Sequence, residues 1–292
     1  MQKAIFFIGI VILSVTGSAQ QPATSLTHRE LCKRFSDAVI RIEAGGQSRG
    51  TGFLVSADGF ILTAAHVVRG DDGAYFSAIT AKLPDGTTEF ATPSPMTIES
   101  AGQDFAVLKV KGKTKLPFLG LGSFEDAELG SDATIIGYPF SAITAQGKNV
   151  SIKFCLTAAV AASDLATVPV SVSRGNLPFN QDVKVNVIYF QGPSVKGISG
   201  SPVISRDTGK VIGIVSVKLS GIGSELNALK DATGKGLGSG ISISGLQSGP
   251  VIHKILTVLD DQLANDLGAA TGIDDPKHAL AQAQRQNKNP PK

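Results

Sequence analysis

The sequence predicts an all-β protein built in two halves, and three observations carry that reading. Apolar or alternating runs are short, Asp-Gly turns punctuate them, and glycine is abundant, 33 of 292 residues. A charged fraction of 17% against an apolar 42% belongs to a globular chain, not to a disordered or coiled-coil one. The formal charge of +3 is small and evenly spread, so nucleic acid is not an expected partner.

The first 20 residues, "MQKAIFFIGIVILSVTGSAQ", place Lys3 before an apolar run at 4–15 and the small residues Gly17, Ser18 and Ala19 after it. This is the pattern of a secretory signal peptide over 1–19, with cleavage expected after Ala19. The run is shorter than the roughly 20 residues a spanning helix needs, and no cysteine follows the cut. The mature chain is therefore expected to be secreted or periplasmic, with no stable membrane anchor.

Thr27, three residues ahead of Glu30, forms a capping box that opens a short helix. The first half, 26–125, follows with "AVIRIEA", "TGFLVSADGFILTAAHVV", "AITAKLPDGTTEFAT" and "DFAVLKVKG" as strands, turned at Asp58-Gly59 and Asp85-Gly86. After a junction between Gly120 and Gly130 the second half, 126–248, resumes with "DATIIGYPF", "NVSIKFCLTAAVAA", "KVNVIYFQG" and "SPVISRDTGKVIGIVSVKLSG". Arg206-Asp207-Thr208-Gly209 reads as the turn of a hairpin. Val251, Ile255, Leu259, Leu263 and Leu267 recur every four residues between Pro250 and Gly268, which predicts an amphipathic helix over 249–268. The polar remainder, 269–292, reads as a disordered tail.

Chemistry concentrates in a few residues. "GISGSP" sets Ser199 between glycines, and a serine hydroxyl is a nucleophile only beside a base. Of four histidines, His28 and His253 fall on helices and His278 in the tail, and all three read as solvated. His66 differs, because the strand "GFILTAAHVV" delivers it to a sheet edge. Asp104 opens the apolar strand "DFAVLKV" and is the candidate to orient that imidazole. A lone histidine or aspartate in such a place is more often structural, but the three contexts agree. Cys32 and Cys155 leave two readings open, a disulfide or two buried thiols. No zinc spacing and no Walker-type glycine loop is present, so neither a metal nor a cofactor is expected.

Taken together, "GTGFLVSADGFILTAAHVV", "DFAVLKV", "IIGYPF" and "GISGSPVIS…GKVIGIVS" resemble the trypsin-like serine proteases of the chymotrypsin fold, and among them the bacterial Deg/HtrA family. The chain order His–Asp–Ser is that of chymotrypsin. The resemblance implies two six-stranded antiparallel β-barrels, with a short N-terminal and a C-terminal helix. It implies His66, Asp104 and Ser199 as a catalytic triad, with the amides of Gly197 and Ser199 as the oxyanion hole. Ile198 stands where chymotrypsin-type zymogens carry an aspartate, so activation by a buried terminal amine is not expected. Too few residues follow Gly268 for the PDZ domain of typical Deg/HtrA members.

Around the pocket, Pro193, Val215, Ser216 and Lys218 stand where relatives set their specificity. Pro193 and Val215 replace the acid or histidine of charged-pocket relatives, which points to small or medium apolar side chains. The function expected is an exported serine endopeptidase acting on protein or peptide substrates, with room for a homo-oligomer. The alternative is a protease fold serving as a binding or chaperone module with its site idle; a β-rich surface protein without any site is the third reading.

Overall fold

A computed structural model describes residues 25–70, 74–95, 102–112, 114–139, 143–145, 148–150, 152–174, 177–192, 197–216 and 267–288. Its strands close into two six-stranded antiparallel barrels, as the fold class requires. In the first barrel β1 (Val39–Ala44), β2 (Gln47–Leu54), β3 (Phe60–Ala64), β4 (Ile79–Lys82), β5 (Thr88–Pro93) and β6 (Phe105–Val110) run in the order β1-β2-β3-β6-β5-β4. Its turns are the expected ones, with Gly59 and Gly86 at φ 84° and 87°, conformations that favour glycine.

Between the barrels' strands, β8 (Ile143–Ala145) and β9 (Lys148–Val150) make a small separate ribbon. The second barrel takes β7 (Asp132–Gly137), β10 (Phe154–Arg174), β11 (Leu177–Gln191), β12 (Pro202–Ser205), β13 (Val211–Val215) and β14 (Leu267–Gly272), ordered β10-β11-β14-β13-β12-β7. The β12–β13 hairpin turns at Gly209, whose N–H donates to the Ser205 carbonyl at 2.9 Å.

Among the described residues, three α-helices frame the barrels. Helix α1 (His28–Phe35) starts on the predicted capping box: Glu30 N–H donates to Thr27 Oγ1 at 3.3 Å, and Thr27 N–H to Glu30 Oε2 at 2.8 Å. Helix α2 (Ala65–Val68) is one turn long. Helix α3 (Asp274–Lys288) corrects the disordered tail, and Leu267 and Gly268 belong to β14 instead of ending a helix. Residues 251–266, the body of the helix predicted over 249–268, lie outside the described residues, as does 1–19. The tail misled because only Pro276, Leu280 and Ala283 of α3 are buried. Its composition is polar yet helix-forming, with Asp274 and Asp275 in the first turn and Arg285 and Lys288 in the last, each favoured by the helix dipole.

The core has three parts. One fills the first barrel around Ile40, Ile61 and Leu108, and another fills the second around Ile135, Phe190 and Val203. The third lies between them, where Phe105 and Val107 of β6 meet Ile136, Ile204 and Ile214 of the second barrel. Leu31 and Phe35 of α1 and Leu280 and Ala283 of α3 pack into the same layer. Both terminal helices therefore hold the barrels together. Cys32 of α1 and Cys155 of β10 are joined as a disulfide. Beside it His28 is not solvated as expected: its Nδ1 lies 3.0 Å from Thr134 Oγ1 and its Nε2 3.4 Å from Cys32 Sγ.

Candidate active site

Strand pairing brings His66 and Asp104 together. β3 and β6 are neighbours in register, with Ala64 opposite Phe105, so the residues that follow β3 and precede β6 share one rim. Ala65 N–H donates to the Asp104 carbonyl at 3.0 Å, which closes the rim. Asp104 takes φ 53°, a left-handed conformation that aspartate tolerates better than most residues. That turn aims its carboxylate back at α2.

The carboxylate is buried, and burying an ionised group without partners would cost several kcal/mol. Three donors meet it. His66 N–H reaches Oδ1 at 3.0 Å, His66 Nδ1 lies 2.6 Å from Oδ2, and the Ser216 hydroxyl donates to Oδ2 at 2.5 Å. With its Nδ1 proton held by Asp104, a neutral His66 leaves Nε2 as an acceptor for a substrate-side proton.

Ser199 comes from the other barrel, on the turn that leads into β12. Gly197 and Gly200 have φ 92° and 84°, and the intervening Ile198 is buried in the second-barrel core. Gly200 also permits a close approach: a Cβ there would lie 2.0 Å from the Thr51 carbonyl and 2.4 Å from Thr63 Oγ1. The turn is tied within its own barrel by Gly200 N–H to the Val215 carbonyl at 2.8 Å and Ser201 N–H to the Ile198 carbonyl at 3.0 Å. It is tied to the first barrel by Thr51 N–H, which donates to the Ser199 carbonyl at 2.9 Å. Among the described residues no acceptor meets the amides of Gly197 or Ser199.

The pocket expectation needs correcting at Val215. Along β13, Ile214 enters the layer between the barrels and Val215 the core of the second, because both faces of this strand are covered. Val215 is thus core packing and not a lining residue. Ser216 turns its hydroxyl to the buried Asp104 carboxylate as its third donor. Pro193 and Lys218 lie outside the described residues.

Sequence reasoning passed over Thr51 and Gln103. Thr51 is fully buried and bonded to both barrels; a lone polar residue between Gly50 and Gly52 was the available signal. Gln103 is also buried, and its amide donates to the Lys184 carbonyl at 3.4 Å, across the barrel interface beside Asp104.

Comparison with known proteins bears on the family and the fold. Residues 50–214 match the family model described as a trypsin-like peptidase domain. The chain is 30% identical over 235 residues to a probable periplasmic serine endoprotease DegP-like of Halomonas elongata, covering 80% of this chain and 43% of that one. It is 30% identical over 227 residues to the mitochondrial serine protease HTRA2 of Bos taurus, covering 72% and 43%. It thus spans less than half the length of these curated relatives. Among solved structures, the HtrA-type protease AlgW with a decapeptide superposes with a TM-score of 0.51 at 19% identity, over 90% of this chain and 68% of that one. An inactive form of Rv3671c from M. tuberculosis superposes at 0.50 and 19% identity, over 90% and 92%.

Proposed function

The chain belongs to the trypsin-like peptidase family, and on that premise we propose that it is an exported serine endopeptidase working through Ser199, His66 and Asp104. The observation that carries this reading is the double contact between Asp104 and His66, one carboxylate oxygen on the backbone amide and the other on Nδ1. It fixes both the tautomer and the plane of the imidazole, which a merely structural aspartate at a turn does not require.

In this mechanism Ser199 Oγ attacks the peptide carbonyl and His66 Nε2 takes its proton. Asp104 stabilises the imidazolium that forms, without itself becoming protonated. The negative charge on the former carbonyl oxygen falls to the Gly197 and Ser199 amides, which among the described residues have no internal acceptor. Collapse expels the amine, protonated by His66, and leaves an acyl-enzyme on Ser199 that water hydrolyses by the same route in reverse. The Ser216 hydroxyl, by supplying the third hydrogen bond to Asp104, keeps the carboxylate aimed.

Export rests on the signal pattern at 1–19 and accords with the word "periplasmic" in the name of the Halomonas relative. The substrates are proteins or peptides, and neither metal nor cofactor enters the chemistry. The test is a fluorophosphonate probe on the folded chain, with the labelled residue mapped by mass spectrometry. Labelling at Ser199 that disappears in Ser199→Ala and in His66→Ala supports the endopeptidase. A well-folded chain that neither labels nor hydrolyses casein is the idle binding module instead.

A further inference from the structure

Thr51 sits in β2 of the first barrel, yet its hydrogen bonds reach the second. Its N–H donates to the Ser199 carbonyl at 2.9 Å, its Oγ1 donates to the Gly197 carbonyl at 2.9 Å, and Tyr138 N–H donates to that same Oγ1 at 2.9 Å. Its own carbonyl accepts from Thr63 Oγ1 at 2.6 Å. The side chain has no exposed surface.

The direction of these bonds is not free. A hydroxyl has one proton, and the Tyr138 amide can only donate, so it occupies a lone pair of Oγ1 and leaves the proton for the Gly197 carbonyl. That carbonyl belongs to the peptide linking Gly197 to Ile198, and the Ser199 carbonyl closes the next residue but one. Thr51 therefore holds the peptides 197–198 and 199–200, which flank the Ser199 amide on both sides and adjoin the Gly197 amide, the two proposed oxyanion donors. Gly197, at φ 92°, has the widest backbone freedom in the segment and the most to gain from an external hold.

We propose that Thr51 is a positioning residue for the oxyanion-binding amides: a hydroxyl from the first barrel sets the peptide planes of the nucleophile's turn in the second. The proposal rests on Ser199 being the nucleophile. Thr51 touches neither substrate nor reacting atoms, so its contribution is geometric. It belongs to the transition state, where the oxyanion forms, more than to substrate binding.

Thr51→Val keeps the shape and removes the hydroxyl, leaving the Gly197 carbonyl and the Tyr138 amide without their buried partner. Thr51→Ser keeps the hydroxyl and removes only a methyl. Turnover of a peptide substrate is measured per active site titrated with a fluorophosphonate, so that misfolded molecules do not count. A peptide boronic acid, whose tetrahedral adduct places an oxygen among these amides, reports on the oxyanion site separately. Losing one true oxyanion donor costs on the order of 10² to 10³ in turnover, and a positioning contact should cost less.

Thr51→Val is expected to lower kcat roughly 10- to 100-fold, weaken boronate binding by a similar factor and leave KM within about threefold. Thr51→Ser is expected to restore both to near wild type. Thr51→Val with wild-type kcat per titrated site and wild-type boronate affinity overturns the proposal alone. So does Thr51→Ser with the full loss, because it would assign the effect to the methyl. A wild-type chain without Ser199-dependent turnover overturns this proposal and the endopeptidase together.

Discussion

The two barrels hold their share of the site by different means. In the first, His66 and Asp104 are placed by a ladder: β3 and β6 pair in register, and the residues at their ends meet on the rim. In the second, Ser199 rides a turn with glycines at φ 92° and 84° and takes part of its support from the other barrel, through Thr51. Hydrogen-bonded register is local and stiff, whereas a glycine turn is permissive and needs an outside reference. The lesson is that His66 and Asp104, the proposed base and its orienter, are a property of one barrel, while the geometry of Ser199, the proposed nucleophile, is a property of the interface. Damage to the interface should therefore reach Ser199 before it reaches His66.

The strongest way to break this picture is at the nucleophile itself. Ser199→Ala is expected to cut turnover by on the order of 10⁶ while leaving the circular dichroism spectrum and melting temperature nearly unchanged. Retained activity in a pure preparation would remove Ser199 from the mechanism.

On the first barrel, Asp104→Asn is expected to lower turnover by roughly 10⁴, because an amide at Oδ2's place favours the wrong imidazole tautomer. A small effect there would mean that the register of β3 and β6 does not aim a catalytic pair.

Ser216→Ala sharpens the comparison, since Ser216 belongs to the second barrel but serves the first. Loss of one hydrogen bond to a buried carboxylate is worth about 1.5–3 kcal/mol, or roughly 10- to 100-fold. The loss should fall on kcat and leave KM within about threefold, because the hydroxyl aims Asp104 and does not touch substrate. An unchanged kcat would leave Ser216 as packing alone.

The smallest effect on chemistry, though not on stability, is expected from α3. Leu280→Ala removes a side chain from the layer between the barrels and should cost about 2–4 kcal/mol of unfolding free energy, measured by denaturant titration. Turnover per titrated site should fall less than threefold at a temperature where the variant is folded. A loss far larger than that would show the nucleophile's turn to be poised on the whole interface and not on Thr51.

Much of this was legible in the sequence, for reasons tied to particular residues. Asp58-Gly59, Asp85-Gly86 and the turn before Gly209 announce hairpins because few other residues take their backbone angles. The Thr27–Glu30 capping box announces α1 in the same way. Barrel closure was not visible in alternation, which sets the face of a strand but not its neighbour; it entered through the family resemblance. Helix α3 escaped because three buried residues among fifteen leave almost no periodic signal. The contact of Ser216 with Asp104 was not legible, because a serine's place in the chain says nothing of which way its hydroxyl turns. Thr51 carries no signal of its role in "GTGF", since its partners Gly197 and Tyr138 are distant in sequence and only the fold brings them near.

The disulfide joins Cys32 to Cys155, 123 positions apart, and its loop takes in all six strands of the first barrel and β7 of the second. Its entropic contribution to folding, about 5 kcal/mol for a loop of that size, is one consequence. The other concerns survival among proteases. A single cut anywhere between those two cysteines yields two polypeptides that remain one molecule, with His66, Asp104 and Ser199 still carried together. Such a nicked form would run as one band without reductant and as two with it. In an oxidising compartment, a nick in the first barrel would leave a repairless but undivided protein, and only the loss of the sulfur–sulfur bond would set the pieces free.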